Sequence, residues 1–378
     1  MVDFASIAIA ACAAWWALCT LQHVGSTIAA LVQPAIQRRR ETNERQPPVS
    51  IVIPVKGLEP DLDAAFASAF EQSYPQFEIL ISAADENAPA LRVARDVGKR
   101  YPGVKFRVVS SDERVAMSPK LNNLVAPLSL AQYELIFVKD ANIRLLHGQL
   151  GHFVRSFTPD VGLVVAVPIG CGPRNFMALV EAAIMNGYEG RLLAAGSAFG
   201  LGFGHGKVML FDRQAFQRTG GVSAIAGVIN EDHYLSKALA GIGLKTMFSS
   251  EVIRQFLGER KFAEVWNRHL RWSVCRRQSE PWAFYAEPTC SALLAAAAGA
   301  VAAPLLGQPG WLALAATLLF WFATEAVFLL TKGWGWSWRS PIAMLAREFL
   351  VLALWLWTWR TRRIFWGEIA FDVRQRAD

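Results

Sequence analysis

Apolar residues crowd both ends of this chain, and between them short apolar runs alternate with amphipathic ones. From Phe4 to about Val32 almost no charge interrupts the sequence, enough for a spanning helix at roughly 20 residues per bilayer core. Only Asp3 precedes this run, whereas a cleavable signal needs a basic segment first. Arg38-Arg39-Arg40 follows it, so the pattern predicts an uncleaved transmembrane anchor over 1–36 and a following domain on the cytoplasmic face. A polar, Pro-ended linker covers 37–48.

The middle of the chain reads as strands and helices in turn. Val49-Ser-Ile-Val-Ile-Pro-Val predicts a buried strand, Asp61 to Gln72 a helix, and Phe77 to Ser82 a second strand. Ala90 to Tyr101 predicts a helix, and strands follow at Lys105 to Val109, Glu134 to Lys139, Val161 to Pro168 and Lys207 to Phe211. Leu192 to Phe203, apolar but carrying Gly196, Gly200 and Gly202, reads as loop and strand. Such alternation predicts an α/β domain over 49–287, built on a doubly wound, mostly parallel sheet. Ligands of such sheets bind beyond the C-terminal strand ends.

After Pro288 come apolar stretches at 291–306, 310–331 and 341–359, so 288–360 is expected to hold membrane segments, with a basic tail over 361–378. The first stretch is broken by Pro304, and the last carries Arg347 and Glu348. Three full spans would place Arg360-Thr-Arg-Arg outside, against the positive-inside tendency; one stretch is therefore expected to be re-entrant or interfacial.

Composition sharpens this picture. An apolar share of 53% is high for a soluble protein. The net charge of +7 sits in clusters beside apolar stretches, the placement of membrane edges. No basic stripe studded with aromatics suggests nucleic acid. The five cysteines are scattered without a CxxC, which argues against a zinc site or disulfide framework. Gly200-Leu-Gly-Phe-Gly-His-Gly lacks the spacing of a dinucleotide fingerprint, and no GxxxxGK[ST] loop is present.

Candidate chemistry rests on acids at ordered positions. Asp140 ends a hydrophobic strand, where an ionised carboxylate is solvated, paired or metal-bound, and Asn142 offers a carbonyl oxygen two residues on. Asp85 follows another strand, though Glu86 and Asn87 also make this a plain turn. Glu231-Asp232 opens a helical pattern; an acid there is a helix-start residue or a general base. Arg268 and Arg271 share a helical face with Trp272 alongside, suited to the membrane surface or to pyrophosphate oxygens. Lys56 and Lys120 are further phosphate candidates, each of a type more often found merely on the surface.

Taken in order, these residues resemble the GT-A glycosyltransferases of the family-2-like kind, and more closely the ceramide glucosyltransferases. The stretches that carry the resemblance are IPVKGLEPDL, SAADENAP, SPKLNNL, VKDANIRL, GHGKVMLF, INEDHYLSKALAGIG and RHLRW. The family's three acids followed by (Q/R)xxRW fall on Asp85, Asp140, Asp232 and Arg268 to Trp272. Here the second acid stands in Asp-Ala-Asn, where many relatives carry a second carboxylate or Ser-Gly. The resemblance implies a GT-A sheet, with Asp85 holding the uridine, Asp140 near the phosphates and a divalent cation (Mn²⁺ or Mg²⁺), and Asp232 as the base. Lys56 and Lys120 would join the donor-binding set, and Arg268, Arg271 and Trp272 would line pyrophosphate and acceptor. The implied partners are a UDP-sugar, most simply UDP-glucose, and ceramide or a similar lipid in the bilayer. The implied location is a membrane, the inner one in a bacterium. A different lipid acceptor, such as a hopanoid or a polyprenyl phosphate, and an inactive membrane scaffold are the alternatives.

Overall fold

A computed structural model describes residues 4–361, 363–366 and 369–372. The helices are α1 (Phe4–Arg38), α2 (Leu62–Phe70), α3 (Pro89–Lys99), α4 (Pro119–Leu130), α5 (Gln149–Arg155), α6 (Phe176–Ala183) and α7 (Arg191–Ala198). They continue as α8 (Arg213–Arg218), α9 (Val222–Ile225), α10 (Glu231–Gly241), α11 (Phe262–Ser279) and α12 (Pro281–Ala286). The last are α13 (Ala292–Ala302), α14 (Gly310–Lys332) and α15 (Ser340–Thr358). A π-helical stretch, Ile184–Gly190, joins α6 to α7. The strands are β1 (Val49–Pro54), β2 (Phe77–Ala83), β3 (Lys105–Ser110), β4 (Leu135–Lys139), β5 (Ile143–Arg144) and β6 (Val161–Val165). They continue as β7 (Pro168–Pro173), β8 (Val208–Asp212), β9 (Lys245–Phe248), β10 (Ile253–Gly258), β11 (Arg363–Trp366) and β12 (Ile369–Asp372).

The chain parts into two compact units at points the composition does not mark. One takes Val32–Gly172 and Gly196–Leu257; among the described residues the other takes 4–31, Pro173–Ala195 and 258–372. The domain expected over 49–287 is thus divided between them.

In the first unit a seven-stranded sheet runs in the order β3-β2-β1-β4-β8-β6-β9. The pairs β1–β2, β2–β3, β1–β4 and β6–β9 are parallel, and only β8 runs against its neighbours. This is the mostly parallel α/β sheet that the alternating pattern predicts. Its core is built from β-branched and aromatic residues such as Ile51, Ile53, Ile79, Ile81 and Phe137, packed against Leu62, Phe66, Leu91 and Ala94 of α2 and α3. Removing that apolar surface from water stabilises the fold by about 25 cal/mol per Å².

Three local expectations change. The run from Val161 to Pro168 is two strands, because β6 ends at Val165 and β7 begins with Pro168, which has no N–H to donate, in a separate three-stranded sheet with β5 and β10. Leu192 to Phe203 is helix as far as Ala198 and loop after it, since the helical run from Phe176 carries through the apolar residues without interruption. Pro119–Leu130, for which no element is predicted, is a helix opened by Ser118 as N-cap and Pro119 at its first position.

The second unit holds the apolar helices. Phe4–Arg38, Gly310–Lys332 and Ser340–Thr358 are long and apolar enough to cross a membrane. The stretch at 291–306 belongs instead to a helix pair, Pro281–Cys290 and Ala292–Leu306, bent by 56°. Within this unit Cys19, Ala292, Ala295 and Trp321 form a small core, flanked by Trp15, Trp16, Leu318 and Phe322. The Arg347-Glu348 pair is fully buried. Arg347 grips both carboxylate oxygens of Glu325 on α14 and also Glu348, whose Oε2 accepts from the Ala292 backbone at 2.8 Å and from Ser291 Oγ at 3.1 Å. Gly187, in the π-helical stretch, lies so close to Glu325 that a Cβ would overlap its carboxylate. Half of the basic tail expected over 361–378 lies outside the described residues; within the rest, β11 and β12 pair antiparallel.

Candidate functional site

Because β1, β2 and β4 are parallel neighbours, their C-terminal ends share one edge of the sheet. Lys56, Asp85 and Asp140 all follow those ends, the edge at which open α/β sheets take their ligands. Lys56 is exposed, and Asp85 sits in an exposed turn with its Oδ1 accepting from Asn87 N at 2.9 Å. Among the described residues neither bonds to the cluster that gathers around Asp140.

That cluster is organised by Lys120. Ser118 caps α4 by accepting from Leu121 N at 3.3 Å, which places Lys120 in the first helical turn above the sheet edge. Lys120 Nζ donates to Asp140 Oδ1 at 2.7 Å and to the Gly206 carbonyl. Lys207 Nζ lies 3.2 Å from Asp140 Oδ2. Lys207 directly precedes the reversed strand β8, whose start pairs with the end of β4, Lys139 opposite Val208, and its carbonyl accepts from Asp140 N at 2.9 Å. Burial by itself would raise the Asp140 carboxyl, but the ammonium groups of Lys120 and Lys207 outweigh it and hold the value at about 2. Burial works against charge on Lys120 as well, and Asp140 with Glu231 and Asp232 overcomes it, leaving its value raised.

Asp232 stands in the first turn of α10. Its Oδ2 accepts from Gly206 N at 2.6 Å and its Oδ1 from His233 N at 2.9 Å, so the carboxylate is aimed by backbone amides. The approach demands glycine: a Cβ on Gly204 would overlap the Asp232 carbonyl, and one on Gly206 would stand 2.8 Å from Asp232 Oδ2. The glycine run that has the wrong spacing for a dinucleotide is the loop that carries these contacts.

Beside Asp232, Glu231 is buried and hydrogen-bonded to Ser118. Burial and then the Asp232 charge push its carboxyl up to about 7, against the pull of Lys120 and the Ser118 bond. Between the ordinary value of 4.5 and about 7 the folded chain keeps this proton while the unfolded chain has lost it. Stability is therefore expected to fall as pH rises through that window and to level off above it. Comparing the thermal midpoint of wild type and Glu231→Gln from pH 4.5 to 8 checks this; an unchanged slope in the variant would remove Glu231 as the cause.

The structure thus brings Lys120, Asp140 and Asp232 together and adds Ser118, Gly206, Lys207 and Glu231. Of these additions, the doubled acid at 231–232 and the lysine directly before a strand were visible in the sequence, but what they face was not.

For a divalent cation the cluster offers the Asp140 carboxylate, and two residues on Asn142 Oδ1 is buried with no hydrogen-bond partner. Among the described residues no group of three or more His, Cys, Asp or Glu side chains is placed to hold a metal. One carboxylate and one amide oxygen suit an ion of the magnesium type, which takes its remaining ligands from phosphates and water. The two ammonium groups leave further lone pairs on Asp140 for such an ion.

Arg268, Arg271 and Trp272 lie on α11, in the other unit. Arg268 is engaged there by Glu181 of α6, which is fully buried and also holds Arg260 Nε at 3.1 Å. Trp272 packs edge-on against His269, ring centroids 4.9 Å apart. Arg268 is therefore also an internal anchor for α11.

Comparison with known proteins bears on this arrangement. The family model described as glycosyl transferase family 21 matches residues 8–378. Ceramide glucosyltransferase 1 of Caenorhabditis elegans is 25% identical over 255 residues, 67% of this chain and 55% of that protein. Ceramide glucosyltransferase of Komagataella phaffii is 34% identical over 110 residues, 28% of this chain and 22% of that protein. The chain spans about half the length of the C. elegans relative. Among solved structures, a Pyrobaculum calidifontis mannosyltransferase described with GDP-Man and Mn²⁺ aligns over 91% of this chain and 98% of its own, at 20% identity and a TM-score of 0.47. With its model matched over nearly the whole length, the chain belongs to glycosyl transferase family 21.

Proposed function

We propose that the protein transfers a hexose, glucose in the first instance, from a UDP-sugar to the primary hydroxyl of ceramide or a similar membrane lipid, with inversion at the anomeric carbon. The observation that carries this reading is the joining of Asp140 to Asp232 through Lys120 and Gly206, at the C-terminal edge of a parallel sheet. Family membership and the ceramide glucosyltransferases among the relatives support the lipid acceptor. The helices apolar enough to span a membrane support a site that works beside the bilayer, which we place on the cytoplasmic face.

In this reading Asp232 accepts the proton of the lipid hydroxyl as that oxygen attacks the anomeric carbon from the side opposite the departing UDP. Its aim is set by the Gly206 and His233 amides. Asp85 contacts the uridine, with Lys56 nearby at the sheet edge. Lys120 and Lys207 place positive charge where the leaving diphosphate gains negative charge. Asp140 and Asn142 would hold a divalent cation, Mn²⁺ or Mg²⁺, which when bound neutralises charge on the diphosphate. Arg271 and Trp272 contribute to the pyrophosphate and acceptor sides.

The test is to incubate detergent-solubilised protein with Mn²⁺ or Mg²⁺, a panel of UDP-sugars, and ceramide beside a hopanoid polyol and a polyprenyl phosphate, following lipid mass. A hexose added to ceramide is expected, and the productive donor names the sugar. Product on another lipid alone would replace the acceptor. Neither product nor UDP release from folded protein would refute the reading.

A further inference from the structure

A cavity of about 880 Å³ lies in the sheet-bearing unit, lined by Gln37, Arg39, Arg40, Thr42, Thr158, Asp160 and residues of the 197–202, 236–240 and 243–248 segments. That volume falls within the range of small-ligand sites, roughly 300–1,000 Å³. The lysine cluster and the three acids proposed for the reaction are absent from its walls. Small residues, Ser197, Gly200, Ala240 and Gly243, leave the space open.

Its charge is lopsided. Lys245 is paired with Asp160 at 3.1 Å, whereas among the described residues neither Arg39 nor Arg40 has an acidic partner. Two guanidinium groups therefore stand uncompensated on one wall, a setting suited to bidentate recognition of phosphate. The same wall holds Gln37, 2% exposed, whose Nε2 donates to Ser197 O at 2.9 Å and to Ser197 Oγ at 2.8 Å. Its Oε1 is buried with no partner, so this residue braces the wall through Ser197.

Position narrows the ligand. Arg39 and Arg40 directly follow α1, whose apolar residues run to Val32. At 1.5 Å per residue the arginines stand about 10 Å past the last apolar turn, the depth of lipid headgroups. We propose that this cavity binds the headgroup of an anionic phospholipid, with Arg39 and Arg40 on the phosphate. Two elements connect it to Asp232. The loop that lines the cavity at Gly200 to Gly202 reaches Asp232 at Gly204 and Gly206, and α10 lines it at Ser236 and Ala240 while presenting Asp232 in its first turn. A headgroup in the cavity would order both.

The experiment titrates the full-length, detergent-purified chain with short-chain phosphatidylglycerol, short-chain phosphatidylcholine and inorganic phosphate, reading saturable binding by thermal shift. Arg39→Ala/Arg40→Ala removes the charge, Ala240→Trp fills the space without touching charge, and Arg92→Ala/Arg95→Ala removes two exposed arginines of α3 as a control. The expected result is saturable binding of phosphatidylglycerol and not phosphatidylcholine, weakened at least tenfold by the first two changes and unaffected by the third. Equal weakening by the control, or wild-type binding by a folded Ala240→Trp, would mean charge attraction at the surface and overturn the site. Inorganic phosphate binding as well as phosphatidylglycerol would overturn the lipid assignment.

Discussion

Replacing Asp232 by Asn is expected to lower hexose transfer by roughly 10²–10⁴, the range of a positioned general base. The change keeps shape and leaves an oxygen to accept from the Gly206 amide at its 2.6 Å position, so the loop and α10 should stay in place. UDP binding is expected to change little, because the groups proposed for the nucleotide, Asp85, Lys56, Lys120, Asp140 and Lys207, keep their side chains, and the link from Lys120 to Asp232 runs through the Gly206 backbone. Rate of lipid product against UDP affinity by calorimetry separates the two. Loss of both together would show that Asp232 builds the donor site and does not act on the acceptor.

The second large effect is expected in the apolar unit. Glu325→Ala leaves Arg347 with Glu348 alone, inside a cluster in which all three side chains are at most 3% exposed. Arg347 keeps Glu348 but loses both bonds to Glu325, and each buried group left unsatisfied costs about 1–3 kcal/mol. The thermal midpoint in detergent should drop by many degrees, and Glu325→Gln, which keeps hydrogen-bonding atoms, should drop less. A Glu325→Ala protein that melts with the wild type would show that the cluster does not hold α14 to α15.

What could be read from residue order divides along physical lines. The strands β1, β2 and β4 stood out because they are buried on both faces and so appear as unbroken apolar runs. Asp85 and Asp140 followed from them, as polar residues directly after such runs. Helix α4 was hidden by Pro119, Pro127 and two asparagines, all poor in helix propensity; its signal was the Ser-Pro start. Partners distant in sequence were out of reach. Nothing near Arg268 announces Glu181, 87 residues earlier, and the adjacency of Arg347 and Glu348 conceals Glu325, 22 residues away. Local propensity and period report elements; they do not report which side chains the folded chain sets face to face.

The Arg347–Glu325 pair also bears on how the chain enters a bilayer. An arginine near the middle of an isolated span costs about 2.5–3.5 kcal/mol on the insertion scale. Helix α15 therefore partitions poorly on its own, while α14 carries the carboxylate that relieves it, and only the short link 333–339 separates them. The two spans are best suited to leave the insertion machinery as one helical hairpin. A stall between them during synthesis would leave Arg347 in hydrocarbon with only its neighbour Glu348, short of the two bonds that Glu325 supplies.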